Sequence, residues 1–146
     1  MAGGRVDEVP DNVFAISGRI NSTWGGNLTD MVRCRRILEI VEREGLISAA
    51  GPKGERLVAA LLQLAAERPG LVTNVRGRGL MAAVDLPDRE IRDRVLTALR
   101  DDEHVLVLGS GERSVRFRPA LSVTHDELDL ATEALGRVLA RIEEPQ

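Results

Sequence analysis

Apolar residues recur at helical spacing from about Thr29 to Glu44, with Met31, Val32, Leu38 and Val41 near one face and Ile37 and Ile40 beside them. Thr29 is placed to cap this helix, Asp30 suits its first turn and Gly45 suits its end. A second helical stripe, Leu57, Leu61 and Leu64, predicts a helix from about Pro52 to Glu67, with Pro52 in the first turn and Pro69-Gly70 beyond the end. The period then changes. Residues 71–75 and 80–86 read as strands joined through Arg76-Gly77-Arg78-Gly79. Ile91, Val95 and Leu99 predict a third helix over about residues 88–100. Short strands follow at 105–108 and 114–117, separated by the Gly109-Ser110-Gly111 turn. Thr124 and Glu127 have the spacing of a capping box ahead of a last helix carrying Leu128, Ala131, Leu135, Val138 and Ile142. Residues 1–23 stand apart. They have no helical period, hold Val13-Phe14-Ala15-Ile16 as a brief apolar run, and are expected to be exposed or poorly ordered.

The predicted order is leader, helix, helix, strand, strand, helix, strand, strand, helix. This is an α+β chain, with helices on one side of a small, largely antiparallel sheet. At 146 residues it holds one domain or a piece of a larger one, and 43% apolar with 29% charged residues suits a globular chain. Aromatic residues are 2% of the chain and the net charge is −3, which argues against nucleic-acid binding. No apolar run reaches the roughly 20 residues of a membrane span, and the N-terminus has no signal-peptide centre. The single Cys34 excludes an internal disulfide, fits a reducing compartment and so points to the cytoplasm; within its apolar pattern it reads as a core residue.

Candidate chemistry is confined to a few places. Asn21-Ser22-Thr23-Trp24-Gly25-Gly26-Asn27 sets small polar side chains and two glycines just ahead of the first helix, an arrangement suited to an anion such as a phosphate. Arg116 and Arg118 fall on the same face of a strand, where they read either as a carboxylate clamp or as a pair of surface ion pairs. Arg76-Gly77-Arg78-Gly79 reads as a phosphate cradle or as a glycine-kinked strand or turn, and it lacks the third glycine of a dinucleotide fingerprint. Arg33, Arg35 and Arg36 face Glu39, Glu42 and Glu44 as a salt-bridged helix surface. His104 and His125, with one cysteine and no paired spacing, give no metal site and no catalytic triad. Nineteen arginines accompany one lysine, Lys53.

These segments resemble the class III aminotransferases. Asn21 to Asn27 is similar to the family's Thr-aromatic-Gly-Gly-Asn segment, Arg76-Gly77-Arg78-Gly79-Leu80-Met81 to its Arg-Gly-x-Gly-Leu-Met strand, and Val115 to Leu121 to its late Arg-Phe-x-Pro-Pro-Leu strand. They occur in family order. Asp11 to Phe14 and Asn21 to Arg36 resemble most the branch acting on the ε-amino group of L-lysine. The resemblance implies pyridoxal 5'-phosphate as cofactor, a fold type I homodimer, and L-lysine and 2-oxoglutarate (returned as glutamate) as substrates. It implies that Thr23, with Ser22 and Asn21 beside it, contacts the cofactor phosphate across the dimer interface. It implies that Arg116 holds a carboxylate of 2-oxoglutarate or glutamate, while the role of Arg118 stays open. Ala120 stands where the family has a second proline. The family's Schiff-base lysine lies upstream of the part matching Val6 to Phe14. The chain is therefore expected to be a C-terminal portion with no catalytic residue of its own, inactive in isolation. Residues 1–28 would be a remnant of the large cofactor domain and 29–146 the small domain. The alternative is a stand-alone dicarboxylate-binding or regulatory module.

Overall fold

The structure, a computed structural model, describes residues 3–16, 18–20 and 22–143. A 3-10 turn at Gly4–Glu8 is followed by α1 (Leu28–Arg43), α2 (Leu46–Glu67), β1 (Thr73–Arg78), β2 (Met81–Asp85), α3 (Arg89–Asp101), β3 (Leu108–Ser110), β4 (Ser114–Phe117) and α4 (His125–Glu143). The chain divides into two units, Met1–Ile40 and Val41–Gln146, the division falling inside α1.

In the first unit none of the described residues is buried. Its leader is a run of tight turns, tied by Asn12 Oδ1 accepting from the Phe14 amide at 2.9 Å and by an Arg19–Asp11 ion pair at 2.6 Å. The exposure expected of the leader is what the structure has. Helix α1 opens on Asn27, whose side-chain oxygen accepts from the Thr29 amide at 2.9 Å, so the cap lies two residues before the predicted Thr29. Ion pairs at helical spacing line its surface: Arg33–Asp30 at 3.1 Å, Arg35–Glu39 at 2.8 Å and Arg36–Glu39 at 3.3 Å. The apolar stripe exists but is uncovered within the unit, with Met31, Val32, Ile37 and Leu38 all more than half exposed. Cys34 is likewise exposed, against the expectation of a core residue: periodicity identifies an apolar face, not what covers it.

The second unit has one sheet of order β1-β2-β4-β3 with every pair antiparallel, as the α+β reading requires. Side chains alternate across it. Ala82 pairs with Phe117 and Val84 with Val115 on the inner face, where they meet Leu57 and Leu61 of α2, Val95 and Leu99 of α3, and Leu135, Val138 and Leu139 of α4. The opposite face carries Arg76, Ala83 and Arg116 in one row, and Asp85 with Ser114 in the next.

Several boundaries move. Helix α2 starts at Leu46, six residues before Pro52, because Gly45 in the left-handed region (φ 60) turns the chain directly out of α1 and accepts from the Ala49 amide at 3.0 Å. Pro52 sits inside the helix, and the amide it lacks is one that would have faced the Ser48 carbonyl. Arg76-Gly77-Arg78 belongs to β1 instead of a connection, with the turn made at Gly79 (φ +54). Here the glycine-kinked strand is the reading that holds: a Cβ on Gly77 would lie 2.7 Å from Val58 Cγ2, and one on Gly54 of α2 would collide with the Gly79 carbonyl. Strand β3 is displaced to Leu108–Ser110, the stretch in register with Ser114–Arg116. The capping box forms as predicted: Glu127 accepts from the Thr124 amide at 2.7 Å and Thr124 Oγ1 from the Glu127 amide at 3.2 Å. Asp88 caps α3 through the Ile91 amide at 2.8 Å.

Candidate functional site

Ser22 and Thr23 lie in the turn leading to α1. The Gly25 amide donates to the Ser22 carbonyl at 2.9 Å and the Asn27 amide to the Trp24 carbonyl at 3.3 Å, which folds the segment tightly and leaves both hydroxyls exposed. Neither hydroxyl is hydrogen-bonded to a described residue, so both remain available as donors. Asn21, read together with them, lies outside the described residues. Asn27 occupies the Thr29 amide, which removes one helix-start donor from those the turn could offer an anion beside its two hydroxyls. That donor set fits the phosphate end of pyridoxal phosphate. It does not fit the ring end, since no lysine is present in the first unit and Lys53 is a half-buried residue of α2.

Arg116 belongs to the second unit and is described within it. It stands on β4 opposite Ala83 of β2 and Leu108 of β3. Alanine at 83 leaves room above the sheet, and Arg76, Arg78, Met81, Ala83, Ser110 and Arg116 line a depression of about 570 Å3 there. Arg116 Nε is buried without a hydrogen-bond partner, and the side chain forms no ion pair with a described residue. A buried guanidinium N–H left without an acceptor costs about 1–3 kcal/mol, so a carboxylate is a fitting partner for this donor. Arg118, exposed just beyond β4, shares with Arg116 a smaller cleft of about 240 Å3 that also takes in Leu106, Leu108 and Glu127. The structure thus brings the two arginines to one cleft, while the larger depression is reached by Arg116 and not by Arg118.

Sequence reasoning missed the polar cluster on the same sheet face. Asp85 is 6% exposed and accepts from Ser114 Oγ at 2.6 Å, from Arg76 Nη1 at 2.8 Å and from Asn74 Nδ2 at 2.8 Å. Burial opposes ionisation of Asp85, but the hydrogen bonds from Ser114, Asn74 and Arg76 outweigh it and hold the carboxyl down at about 2. Asn74 reaches Asp85 because β1 carries a bulge between Thr73 and Arg76, where Asn74 takes a left-handed φ of 49. The available signal was Asp85 itself, one carboxylate in the otherwise apolar run Leu80–Leu86.

Residues 5–139 match the family model described as aminotransferase class-III. The chain belongs to the class III aminotransferases. Among the relatives of this class III chain, an L-lysine-epsilon aminotransferase of Amycolatopsis lactamdurans is 54% identical over 140 residues, which are 96% of this chain and 31% of that protein. One from Streptomyces clavuligerus is 50% identical over 144 residues, 99% of this chain and 32% of that protein. A solved lysine aminotransferase from M. tuberculosis matches with a TM-score of 0.86 at 52% identity, over 97% of this chain and 32% of that one. The chain therefore spans about a third of the length of the curated relatives it matches. Among the described residues, no helix is long and apolar enough to cross a membrane.

Proposed function

We propose that this class III chain supplies the acceptor-carboxylate arginine and the phosphate-contacting turn of a transaminase that passes the ε-amino group of L-lysine to 2-oxoglutarate, giving the 6-semialdehyde and glutamate. The observation carrying this reading is Arg116, a guanidinium with a buried, unused donor beside an open depression, in a chain 50–54% identical to L-lysine-epsilon aminotransferases. A carboxylate there would complete Arg116 in the planar, two-pronged manner that arginine favours. Thr23 and Ser22, with Asn21, would hold the phosphate of pyridoxal 5'-phosphate, in the family's fashion from the neighbouring subunit of a homodimer. When bound, that cofactor supplies the electron sink for amino-group transfer. Residues 1–28 then belong with the large cofactor-binding domain and 29–146 with the small one. A reducing, cytoplasmic setting suits the free thiol of Cys34.

The test is binding of 2-oxoglutarate to the chain and to Arg116→Met, followed by calorimetry. Loss of at least about tenfold in affinity is expected, the scale of one charge-assisted bidentate contact; an unchanged affinity overturns the reading. As for the 146-residue polypeptide alone, incubation with pyridoxal phosphate and then borohydride is expected to leave Lys53 unmodified by mass, with no transamination. A trapped adduct at Lys53 together with turnover refutes that expectation. A second reading, a binding module without chemistry, draws on the second unit's self-contained core with Arg116 on its sheet. Arg116-dependent dicarboxylate binding with no effect of the chain on any transaminase activity would favour it.

A further inference from the structure

The two alanines of β2 are small for different reasons. Ala82 is 1% exposed on the inner face, opposite Phe117, in the core it shares with Leu57 and Leu61 of α2. A larger side chain there would overpack that core. Ala83 points to the other face, is half-buried and meets no such limit. It stands in the row Arg76, Ala83, Arg116, Leu108, which takes one residue from each strand in sheet order. Neighbouring strands lie about 4.7–4.9 Å apart, so the methyl group of Ala83 sits directly beside Arg116. On the far side of Arg116 the row is filled by Leu108, which lines the smaller cleft. Alanine is depleted in strands, and β2 is a central strand, where a β-branched residue suits the pleated surface better. A local choice that runs against propensity is expected where a site requires it. The requirement here is room: Ala83 lies among the residues lining the depression of about 570 Å3, with Met81, Ser110 and Arg116 around it.

We propose that Ala83 is a specificity-determining residue. Its small side chain keeps open the flank of Arg116 over which the carbon chain of an acid lies, and the size of residue 83 sets how bulky an acid Arg116 accepts. The acid lies toward β2 and not toward β3, because Leu108 already fills the other flank. This inference rests on Arg116 being the carboxylate-binding group, and it concerns the space beside Arg116 and not the charge around it.

The test sets stability against binding. Formate and 2-oxoglutarate are each titrated by NMR into the full chain and into Ala83→Val, and both proteins are unfolded in urea. Ala83→Val is expected to unfold at the same or a higher urea concentration, since valine is the better strand former. It is expected to bind 2-oxoglutarate about tenfold or more weakly, the scale on which a fitted pocket feels added carbon atoms. Formate has no carbon chain to lay over residue 83, and its affinity is expected to change by less than about twofold. Leu108→Ala is expected to leave 2-oxoglutarate within about twofold. Should Ala83→Val fail to fold, Ala83→Gly carries the test in the opposite direction: it must narrow the preference for 2-oxoglutarate over its 3-methyl derivative by about threefold or more. Parallel loss of both acids, an unchanged 2-oxoglutarate affinity in Ala83→Val, or an equal loss in Leu108→Ala overturns the proposal. Binding of 2-oxoglutarate that ignores Arg116→Met defeats the underlying reading instead, and an unaltered chain that binds no 2-oxoglutarate defeats both.

Discussion

The two units differ in how they use the same kinds of residue. In the second, Leu57, Leu61, Val84, Val95, Leu99, Val115, Leu135, Val138 and Leu139 are each 1% exposed or less. In the first, Phe14, Ile16, Ile20, Trp24, Leu28, Met31, Val32, Ile37 and Leu38 are all more than half exposed. Apolar content is similar; closure is not. Burial of a Leu or Val contributes about 1.5–3 kcal/mol only where other side chains cover it. The second unit draws its stability from its own sequence, whereas local caps and surface ion pairs shape the first. The two candidate sites inherit this difference. Arg116 stands on a sheet backed by a core, and Ser22 and Thr23 stand on a turn backed by none within its unit.

The widest gap should appear on truncating one leucine in each unit. Leu61→Ala is expected to cost about 2–5 kcal/mol, while Leu38→Ala on α1 is expected to cost less than about 0.5 kcal/mol, both read from urea unfolding. Equal losses would erase the contrast. Next comes pH. Asp85 titrates at about 2 in the folded chain against an ordinary 3.8, so its contribution is complete above the unfolded value and is lost as pH falls through the folded one. That contribution is on the order of 2 kcal/mol, and comparing the acid unfolding of the chain with that of Asp85→Asn between pH 5 and 2 (roughly) isolates it. A smaller effect is expected at the capping box, where Thr124→Ala should cost about 1 kcal/mol in the same urea assay. The smallest is removal of residues 1–27, expected to leave the main unfolding midpoint where it was. A shift of several degrees in thermal unfolding would mean that the first unit carries structure the second depends on.

Legibility in the sequence followed distance along the chain. The Thr124–Glu127 box and the Asp88 cap span three residues each and were readable as local chemistry, or as the start of a helix. The α+β order was readable because period two and period 3.6 are distinct signals. Arg116 was visible as half of a two-residue repeat, and only the resemblance of the motif around it implied a task for it. The hydrogen-bonded cluster on Asp85 was not readable, since its partners come from 9 residues away at Arg76 and 29 at Ser114, and the bulge that aims Asn74 leaves no mark in composition. Pro52 misled because proline marks a first helical turn, whereas α2 begins at Leu46, directly after Gly45, and holds Pro52 in its interior. Cys34 misled because a stripe in sequence carries no information about its cover.

One contact between backbones has a mechanical consequence. Gly54 on α2 rests against the carbonyl of Gly79, with no side chain to act as a spacer on either. With two bare main chains in contact, α2 lies closer to the β1–β2 turn than any side chain at Gly54 would allow. The turn's neighbours, Arg78 and Met81, form the rim of the depression beside Arg116. The rim is therefore tied through that backbone contact to a 22-residue helix, and a side chain introduced at Gly54 would have to push α2 and the β1–β2 turn apart.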